Sequence, residues 1–329
     1  MIIAGNGRGK TNLLEALFLL IEGKSMKGAE GKEMIREGRD VAVVSGTIDV
    51  GREVLLRLAI EEEGAIKGKR RLERVGAVCF QPDDIWMVKG GPEVRRKYLD
   101  EVVMAIKRGY KETLKEYGRV LRQRNEAIKA VRKGLRGREY IRSWNPLLID
   151  TGREVMAERR EVMNKMKKGM ASTGREWGMP ELDIKYYSTM GDDDDGQEKI
   201  IKKMERLEDA EIRRGSSLTG PHRDEILFFL GEKNVRRQRS QGEQKLTTIL
   251  WRITQARLLE GECGKEVLPL MDDCLSELDA ENRRAVLGEL RGWKQAIVTS
   301  TDDLPELEGT NRVWLEFEAE TAVNGGQPA

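Results

Sequence analysis

The sequence predicts an α/β protein whose core is interrupted by a helical arm. At both ends of the 329-residue chain, short apolar runs alternate with glycine-bearing loops and amphipathic segments, as strands and helices alternate in α/β folds. Between about residues 95 and 178 the pattern is almost entirely helical. A chain of this length can form one large core with a smaller satellite domain.

The N-terminal part begins with Met1-Ile2-Ile3, which is typical of the end of a buried strand, and a glycine-rich loop follows. The apolar spacing of TNLLEALFLLI predicts a helix over 11–21. Residues 41–61 alternate like two half-buried strands joined at Gly51-Arg52, and the run AVCF before Pro82 predicts another strand.

The middle of the chain carries two long amphipathic stretches, 95–133 and 147–168, which we expect to pair as a helical hairpin. Breaks are expected at 134–137, at Asn145-Pro146, and at Gly169 and Gly174. The remaining elements are expected in this order: a strand at 182–187, an acidic loop at 191–196, a helix at 197–214, a strand at 225–230, a helix at 240–260, a strand at 267–273, a helix at 281–293 and a strand at 295–301.

Charge is distributed unevenly along the chain. The net charge is only +2, yet residues 101–178 carry 20 Lys and Arg against 10 Asp and Glu, so the remainder of the chain is acidic. A basic segment favours a polyanionic partner such as nucleic acid. From charge alone, a solvated helical face rich in Lys and Arg is an equally good alternative.

Residue types exclude several kinds of site. Cys79, Cys263 and Cys274 have no zinc-site spacing and form no disulfide framework, and with no signal-like segment we expect a reducing cytoplasm. No apolar run approaches the roughly 18 residues that a membrane span needs. His222 is the only histidine, which excludes catalysis that requires two.

The stretch from Ala4 to Thr11, AGNGRGKT, matches the phosphate-binding pattern GxxxxGK[ST] except at its first position. We expect its backbone N–H groups to hold the phosphates of ATP, Lys10 to neutralise the β- and γ-phosphates, and Thr11 to ligate Mg²⁺. The expected nucleotide contacts are Ala4, Gly5, Asn6, Gly7, Arg8, Gly9, Lys10, Thr11 and Asn12. Ala4 costs little in place of glycine if its φ is negative, and more if φ is positive. A glycine-rich turn without a ligand is the alternative, which the strand–loop–helix context disfavours.

Two acids end the strand VLPLM. Asp272 fits the carboxylate that holds the metal beside a phosphate-binding loop, and Asp273 fits one that orients or deprotonates the attacking water. The alternative is that both acids only cap a strand before a turn. Pro269 within this strand removes one donor from the sheet.

The stretch SQGEQ opens the helix over 240–260. A helix start with a serine and a glycine offers a hydroxyl and free N–H groups, which makes a second anion-binding end, although an ordinary capped helix is the more common outcome. Two such ends for one γ-phosphate suggest a dimer, in which the loop of one subunit and SQGEQ of the other enclose each nucleotide. The residues expected to act there are Ser240, Gln241, Gly242, Glu243 and Gln244.

Long blocks of the chain resemble the RecF family of ABC-type ATPases. The similarity runs over nearly the whole chain and is carried by GNGRGKTNLLEAL, FQPDDIWMVKGGPEVRRKYLD, YGRVLRQRNEAIKAV, WNPLLIDTGREVMAERR, LTGPHRDEILFFL, SQGEQKLTTIL and LMDDCLSELDAENRR. The resemblance implies an α/β ABC-type ATPase head with mixed sheets and an inserted helical arm as second lobe. It implies a head formed by residues 1–95 and 215–323, an arm over 96–214 and a disordered tail at 324–329.

The resemblance also implies roles. SQGEQ would be the signature motif that reaches the partner's γ-phosphate, and the loop ending at Asp279 would touch the partner's site. Thr301 lies where many relatives keep a switch histidine, and Gln81 is a positional candidate for sensing the γ-phosphate. ATP and Mg²⁺ would close a head-to-head homodimer, with weak, DNA-stimulated hydrolysis that reopens it. The dimer would bind double-stranded DNA near single-strand junctions and help RecR and RecO load recombinase.

Family members begin about thirty residues earlier, with strands ahead of the loop, so we expect this sequence to be shortened at its N-terminus. Met26-Lys27 stand where the family has Phe-Arg, and Lys lacks the planar fork of Arg. His222 and Arg223 fall in a family block and are as well suited to nucleotide or DNA contact as to a structural role. The arm cations expected to contact DNA phosphates are Arg122, Arg124, Lys129, Arg132 and Lys133, unless the arm serves packing or a protein partner.

Two rival functions remain open at this point. Asp273 stands where ABC ATPases commonly have glutamate, so the chain could be an ATP-binding scaffold that never hydrolyses. The other rival is the ATPase subunit of a transporter or another ABC-type assembly, which the long inserted arm disfavours.

Overall fold

The computed structural model describes residues 1–49, 51–68, 72–192, 195–307, 309–311 and 313–314. Contacts divide the chain into two units, Met1–Pro82 with Lys265–Ala329, and Asp83–Gly264. The strands are β1 (Ile2–Ile3), β2 (Val41–Asp49), β3 (Glu53–Glu61), β4 (Ile66–Lys67), β5 (Val75–Phe80), β6 (Leu182–Tyr187), β7 (Glu225–Leu230), β8 (Lys233–Asn234), β9 (Glu266–Asp272), β10 (Ile297–Ser300) and β11 (Val313–Trp314). The helices are α1 (Lys10–Glu22), α2 (Trp86–Lys89), α3 (Pro92–Ile106), α4 (Tyr110–Arg132), α5 (Glu139–Arg142), α6 (Asn145–Glu176), α7 (Gln197–Arg214), α8 (Val235–Gln238), α9 (Gln241–Cys263) and α10 (Ala280–Leu290).

A parallel sheet organises the first unit. Its strands lie in the order β11-β1-β10-β9-β5, and every pair is parallel. The register pairs Ile2 with Thr299, and Thr299 with Asp272. Because parallel strands end at one edge, the residues that follow β1, β5, β9 and β10 are brought together there.

Helix α1 is buried between two sheets. On one side Leu14, Phe18 and Ile21 form a core with β5 and β9 of the parallel sheet. On the other side Leu19 and Leu20 pack against β3 of the antiparallel sheet β2-β3-β4. Burial of each such side chain contributes about 1.5–3 kcal/mol, so the position of α1 is strongly determined, and the loop before it starts from a rigid support.

Helix α6 is the centre of the second unit, where it packs against α3, α4 and α9. Its inward side carries fully or almost fully buried residues, among them Val155, Val162 and Met166. The expected pairing of two helical stretches is therefore observed between α4 and α6. A small antiparallel sheet, β6-β7-β8, completes this unit.

Glycines act differently from the sequence prediction in this unit. Gly109, with a φ of 90°, divides the stretch 95–133 into α3 and α4, a break that the sequence prediction missed. The breaks expected at Gly169 and Gly174 are wrong, since α6 runs through both. A Cβ at Gly169 would lie 2.6 Å from Cγ2 of Thr254 in α9. The glycine therefore allows two helices to approach closely.

Four buried or largely buried arginines hold this unit together through carboxylates. Arg124 contacts Glu211, Arg159 contacts Asp100, Arg95 contacts Glu225, and Arg252 contacts Asp84, each at 2.7 or 2.8 Å. Removing one partner of such a pair leaves an uncompensated buried charge, which costs about 3–5 kcal/mol.

The boundaries between the two units fall at 82/83 and 264/265, not at the expected 95/96 and 214/215. The difference arises because β7 pairs with β6 and α9 packs along α6, which draws residues 215–264 into the second unit. The division into a head and an arm stays a prediction about function. The expected disordered tail, 324–329, lies outside the described residues. In the described part of the chain no helix is long and apolar enough to cross a membrane.

We expect Gly169→Ala to lower the free energy of unfolding by about 1–3 kcal/mol, because the added methyl group forces α6 away from Thr254. Gly261→Ala in α9 is the matched control, since nothing lies within 4 Å of its added Cβ. That variant should gain roughly 0.5–1 kcal/mol from helix propensity. Urea unfolding followed by circular dichroism measures both, and a gain in both variants would contradict the close approach.

Candidate functional site

The glycine-rich loop has the backbone geometry of an anion cradle. Gly7 and Gly9 have φ values of 72° and 81°, which favour glycine. Among the described non-glycine residues only Asp273 has a positive φ, so Ala4 lies in an ordinary region. Its methyl group is therefore tolerated in place of the leading glycine.

The start of α1 is open to a ligand. No side chain caps its first turn, and Gly5, Asn6, Gly7, Arg8 and Asn12 are exposed. The side chain of Lys10 is buried, and its ammonium donates to the carbonyl oxygens of Ala4 at 2.5 Å and Gly5 at 3.4 Å. The positive charge thus lies across the loop, where free N–H groups and the helix dipole already favour an anion.

Asp272 ends β9 with its carboxylate between two threonines. Its Oδ2 accepts a hydrogen bond from Oγ1 of Thr11 at 2.8 Å, and its Oδ1 accepts one from Oγ1 of Thr299 at 3.0 Å. Asp272 is only 6% exposed. A hydroxyl and a carboxylate oxygen at this distance are hard donors of the kind that Mg²⁺ prefers.

Asp273 has an unusual backbone for its residue type. Its φ is 46°, a left-handed conformation that costs little for Asp compared with most side chains. Its N–H donates to Oγ1 of Thr299 at 3.1 Å. Its buried Oδ1 has no hydrogen-bond partner among the described residues. An unpaired carboxylate oxygen is suited to accept a proton or a hydrogen bond from water.

Thr299 was missed by sequence reasoning, which singled out Thr301 instead. Thr299 is fully buried and contacts both acids, whereas the Thr301 hydroxyl faces Asp302 at 3.2 Å. Alternation along β10 places Thr299 on the opposite face from Ser300 but does not reveal its partner, which depends on the register with β9. Gln81 directly follows β5, next to β9, so it reaches the same edge of the sheet.

The SQGEQ stretch forms a capping box at the start of α9. Oγ of Ser240 accepts from the N–H of Glu243 at 3.2 Å, and Oε2 of Glu243 accepts from the N–H of Ser240 at 2.8 Å. Ser240 and Gln241 are exposed. The expectation for Gln244 needs correction: its side chain is buried and its Nε2 donates to three carbonyls of residues 235–239. The Gln244 side chain therefore holds α8 in place and does not face a ligand.

Gly242 is not required by the fold around it. A Cβ there would meet only Oγ of Ser240, at 4.0 Å, and no positive φ is present. Asp279 is the exposed N-cap of α10, where its Oδ1 accepts from the N–H of Asn282 at 2.8 Å. Both helix starts therefore present their first turns outward.

The expected DNA contacts divide into three groups. Arg124 is wrong as a DNA contact, because it is 1% exposed and its guanidinium is held by Glu211, Ser217 and Asn145. Lys129 is exposed but paired with Glu126 at 2.7 Å. Arg122, Arg132 and Lys133 are exposed.

His222 has a structural position. One ring nitrogen lies 2.5 Å from the Tyr117 hydroxyl and the other lies 3.2 Å from the Ser217 carbonyl oxygen. Burial lowers the pKa of His222 to about 4, and nearby arginines act in the same direction. Arg223 donates to Ser217 and Ser216 and is only partly buried.

Known proteins are similar to this chain over most of its sequence. It is 32% identical over 325 residues to the DNA replication and repair protein RecF of Listeria welshimeri serovar 6b, covering 92% of this chain and 86% of that protein. It is 30% identical over 322 residues to the protein of that name from Bacillus subtilis (strain 168), with the same coverage. No protein-family model matches.

Two solved structures have the same architecture. The recombination mediator protein RecF-ATPrS superimposes with a TM-score of 0.80 at 26% identity, over 96% of this chain and 89% of that one. RecF-ATP gives 0.77 at 26% identity, over 92% and 86%. The predicted fold class, an ABC-type ATPase head with mixed sheets and an inserted helical arm, is confirmed.

We expect His222 to weaken the fold in acid. Its pKa is depressed in the folded state, so the unfolded chain binds the proton more tightly and stability falls as the pH drops from about 6.5 towards 4. Over that window, wild type should lose about 1.4 kcal/mol more per pH unit than His222→Gln. Urea unfolding at several pH values measures the difference, and parallel pH dependences in wild type and variant would contradict a neutral His222 in the folded state.

Proposed function

We propose, because this chain belongs to the RecF family of DNA replication and repair proteins, that it is an ATP-dependent, DNA-binding recombination mediator. The observation that carries the proposal is the carboxylate of Asp272, held by the hydroxyl that ends the phosphate-binding loop, Thr11. That contact brings the loop and the end of β9 together within one unit, as a nucleotide site would require. The head of this mediator would be residues 1–95 and 215–323, and the arm 96–214.

ATP binding is supported by the loop and by the charge across it. The N–H groups of Gly5 to Lys10 would hold the phosphates, and Lys10 would exchange the Ala4 carbonyl for β- and γ-phosphate oxygens. Thr11 and Asp272 fit Mg²⁺, which keeps several waters and needs few protein ligands. When bound, Mg²⁺ neutralises charge that develops on the phosphates.

Hydrolysis would depend on Asp273. Its Oδ1, which has no hydrogen-bond partner among the described residues, would orient the attacking water and accept its proton, while its backbone N–H donates to Thr299. We infer slow turnover, with the ATP-bound state as the working state. A non-hydrolysing scaffold is the second candidate, favoured by a side chain one methylene shorter than the glutamate common in ABC ATPases.

The site would be completed by a second copy of the chain. Ser240, Gln241, Gly242 and Glu243 lie at an exposed helix start whose glycine is not needed by its own subunit. A backbone without a side chain lets another molecule approach closely, as a γ-phosphate held by the partner's loop would. Asp279 would contact that partner from the start of α10. ATP would thus close a homodimer.

The partners of this dimer would be double-stranded DNA near single-strand junctions, RecR and RecO. The two ATP-associated relatives are described as recombination mediators in the RecFOR pathway, which supports this assignment. The basic middle segment supplies the charge for duplex binding.

We expect Asp273→Asn to reduce phosphate release at least about a hundredfold in the presence of duplex DNA, as for loss of a general base. Asn accepts the left-handed conformation as readily as Asp, so the backbone should not change. Malachite-green detection of phosphate measures the rate, with binding of a fluorescent ATP analogue as the control for an intact site. Equal rates in wild type and variant would support the non-hydrolysing scaffold.

The same variant tests the dimer. With ATP, Asp273→Asn should elute as a dimer in size-exclusion chromatography with light scattering, because it cannot reopen. Adding Gly242→Asp should keep it monomeric, although an acid in the first turn of α9 favours the helix itself. A dimer that persists in the double variant would exclude SQGEQ from the interface.

We expect Thr299→Val to reduce the rate of hydrolysis about ten- to a hundredfold, because both acids lose the hydroxyl that orients them. Thr299→Ser keeps the hydroxyl and should restore most of the activity. Thr301→Val is the matched control, since Thr301 contacts Asp302 and neither acid. Steady-state kinetics across Mg²⁺ concentrations measures all three, and equal loss in both valine variants would remove the special role of Thr299.

A further inference from the structure

The cations of the second unit differ in whether a carboxylate neutralises them. Arg119 is paired with Glu116 and Lys129 with Glu126, at 2.6 and 2.7 Å. Arg138 and Arg142 share Glu208. These exposed charges are balanced within the protein, so they add little to the attraction of a polyanion.

Three arginines converge on the turn that follows α7. Arg132 ends α4 and Arg214 ends α7. Arg223 lies between α7 and β7, shortly before β7 begins. A Cβ built on Gly215 would lie 3.1 Å from a terminal nitrogen of Arg132. Arg223 donates to the Ser217 carbonyl oxygen at 3.1 Å and to the Ser216 hydroxyl at 3.3 Å. We call Arg132, Arg214 and Arg223 the arginine turn.

The arginine turn keeps its positive charge. No carboxylate in the described part of the chain forms an ion pair with any of its three members. The nearest acid along α7, Glu211, is fully buried and occupied by Arg124 and by the N–H of Leu218. Burial and the charge of Arg214 lower the pKa of Arg223, and these two effects outweigh the opposite effect of the Glu211 carboxylate.

We propose that the arginine turn binds the phosphate backbone of double-stranded DNA. Guanidinium groups bind phosphate oxygens in a bidentate manner, and exposed Arg132 and Arg214 lie at the same turn as the partly buried Arg223. The Tyr117 ring is buried and its hydroxyl contacts His222, so Tyr117 does not offer a surface for stacking single-stranded bases. The inference rests on the proposed function and replaces Arg124 and Lys129 as phosphate contacts.

The test compares two double variants with equal loss of charge. Arg132→Gln/Arg214→Gln removes two unpaired cations, whereas Arg119→Gln/Lys129→Gln removes two cations that have carboxylate partners. Fluorescence anisotropy with a labelled duplex, in the presence of ATP, gives the affinity between 50 and 300 mM salt. All four positions are exposed, and thermal unfolding controls for an intact fold.

The first variant should bind the duplex roughly ten- to a hundredfold more weakly at low salt, with a slope of log K against log salt reduced by about 2. The control should change affinity less than about threefold. Equal effects in the two variants would overturn the arginine turn while leaving DNA binding intact. Failure of wild type itself to bind the duplex with ATP would overturn the proposed function instead, and the inference with it.

Discussion

The carboxylate of Asp272 is the contact on which the geometry of the site depends. It is charged and nearly buried, so it requires hydrogen-bond donors, and it finds them in Thr11 of α1 and Thr299 of β10. Three separate segments are thereby tied at one point of the parallel sheet. Since the hydroxyl of Thr299 also accepts from the N–H of Asp273, the carboxylate of Asp272 and the backbone of Asp273 cannot shift independently. A one-residue slip of β10 would turn Thr299 to the opposite face and release both.

A second constraint acts in the unit formed by residues 83–264, where charge is used for internal structure. Four arginines that composition counts as cations are paired with buried or partly buried carboxylates: Arg95, Arg124, Arg159 and Arg252. Of these, Arg124 and Arg159 lie within residues 101–178 and their carboxylate partners, Glu211 and Asp100, lie outside, so the local excess of positive charge there overstates what the surface offers a polyanion. The positive charge available to a polyanion comes from the cations that have no carboxylate partner. Whether a cation has such a partner depends on its place at helix ends and turns more than on the number of Lys and Arg residues.

Periodicity and motif spacing were enough to predict most elements and the core of the candidate site. The loop before α1, the strand ending at Asp272 and the helix opened by Ser240 were all predicted where they occur. Contacts between residues distant in sequence could not be predicted. Gly169 looks like a helix breaker in sequence, yet in the structure its missing side chain leaves room for Thr254 of the neighbouring helix. Arg124 looks like a surface cation on an amphipathic helix, and only the proximity of Glu211, 87 residues later, reveals it as a core residue. Thr299 was overlooked because its role depends on the register between β9 and β10, which no local pattern contains.

The arrangement of the candidate site also bears on how ATP and dimerisation would be linked. In the proposed homodimer, each copy would contribute the loop before α1 and the exposed helix start at Ser240, so a two-fold symmetric pair would use both surfaces twice. If a γ-phosphate lies between them, ATP binds the dimer better than the monomer, and by linkage the dimer must tighten ATP by the same factor. The gain cannot come from rearranging Ser240, because its hydroxyl already accepts from the N–H of Glu243 and its own N–H already donates to the Glu243 carboxylate. It must come from N–H groups that are preorganised before the partner arrives, which keeps the entropic cost of closure low.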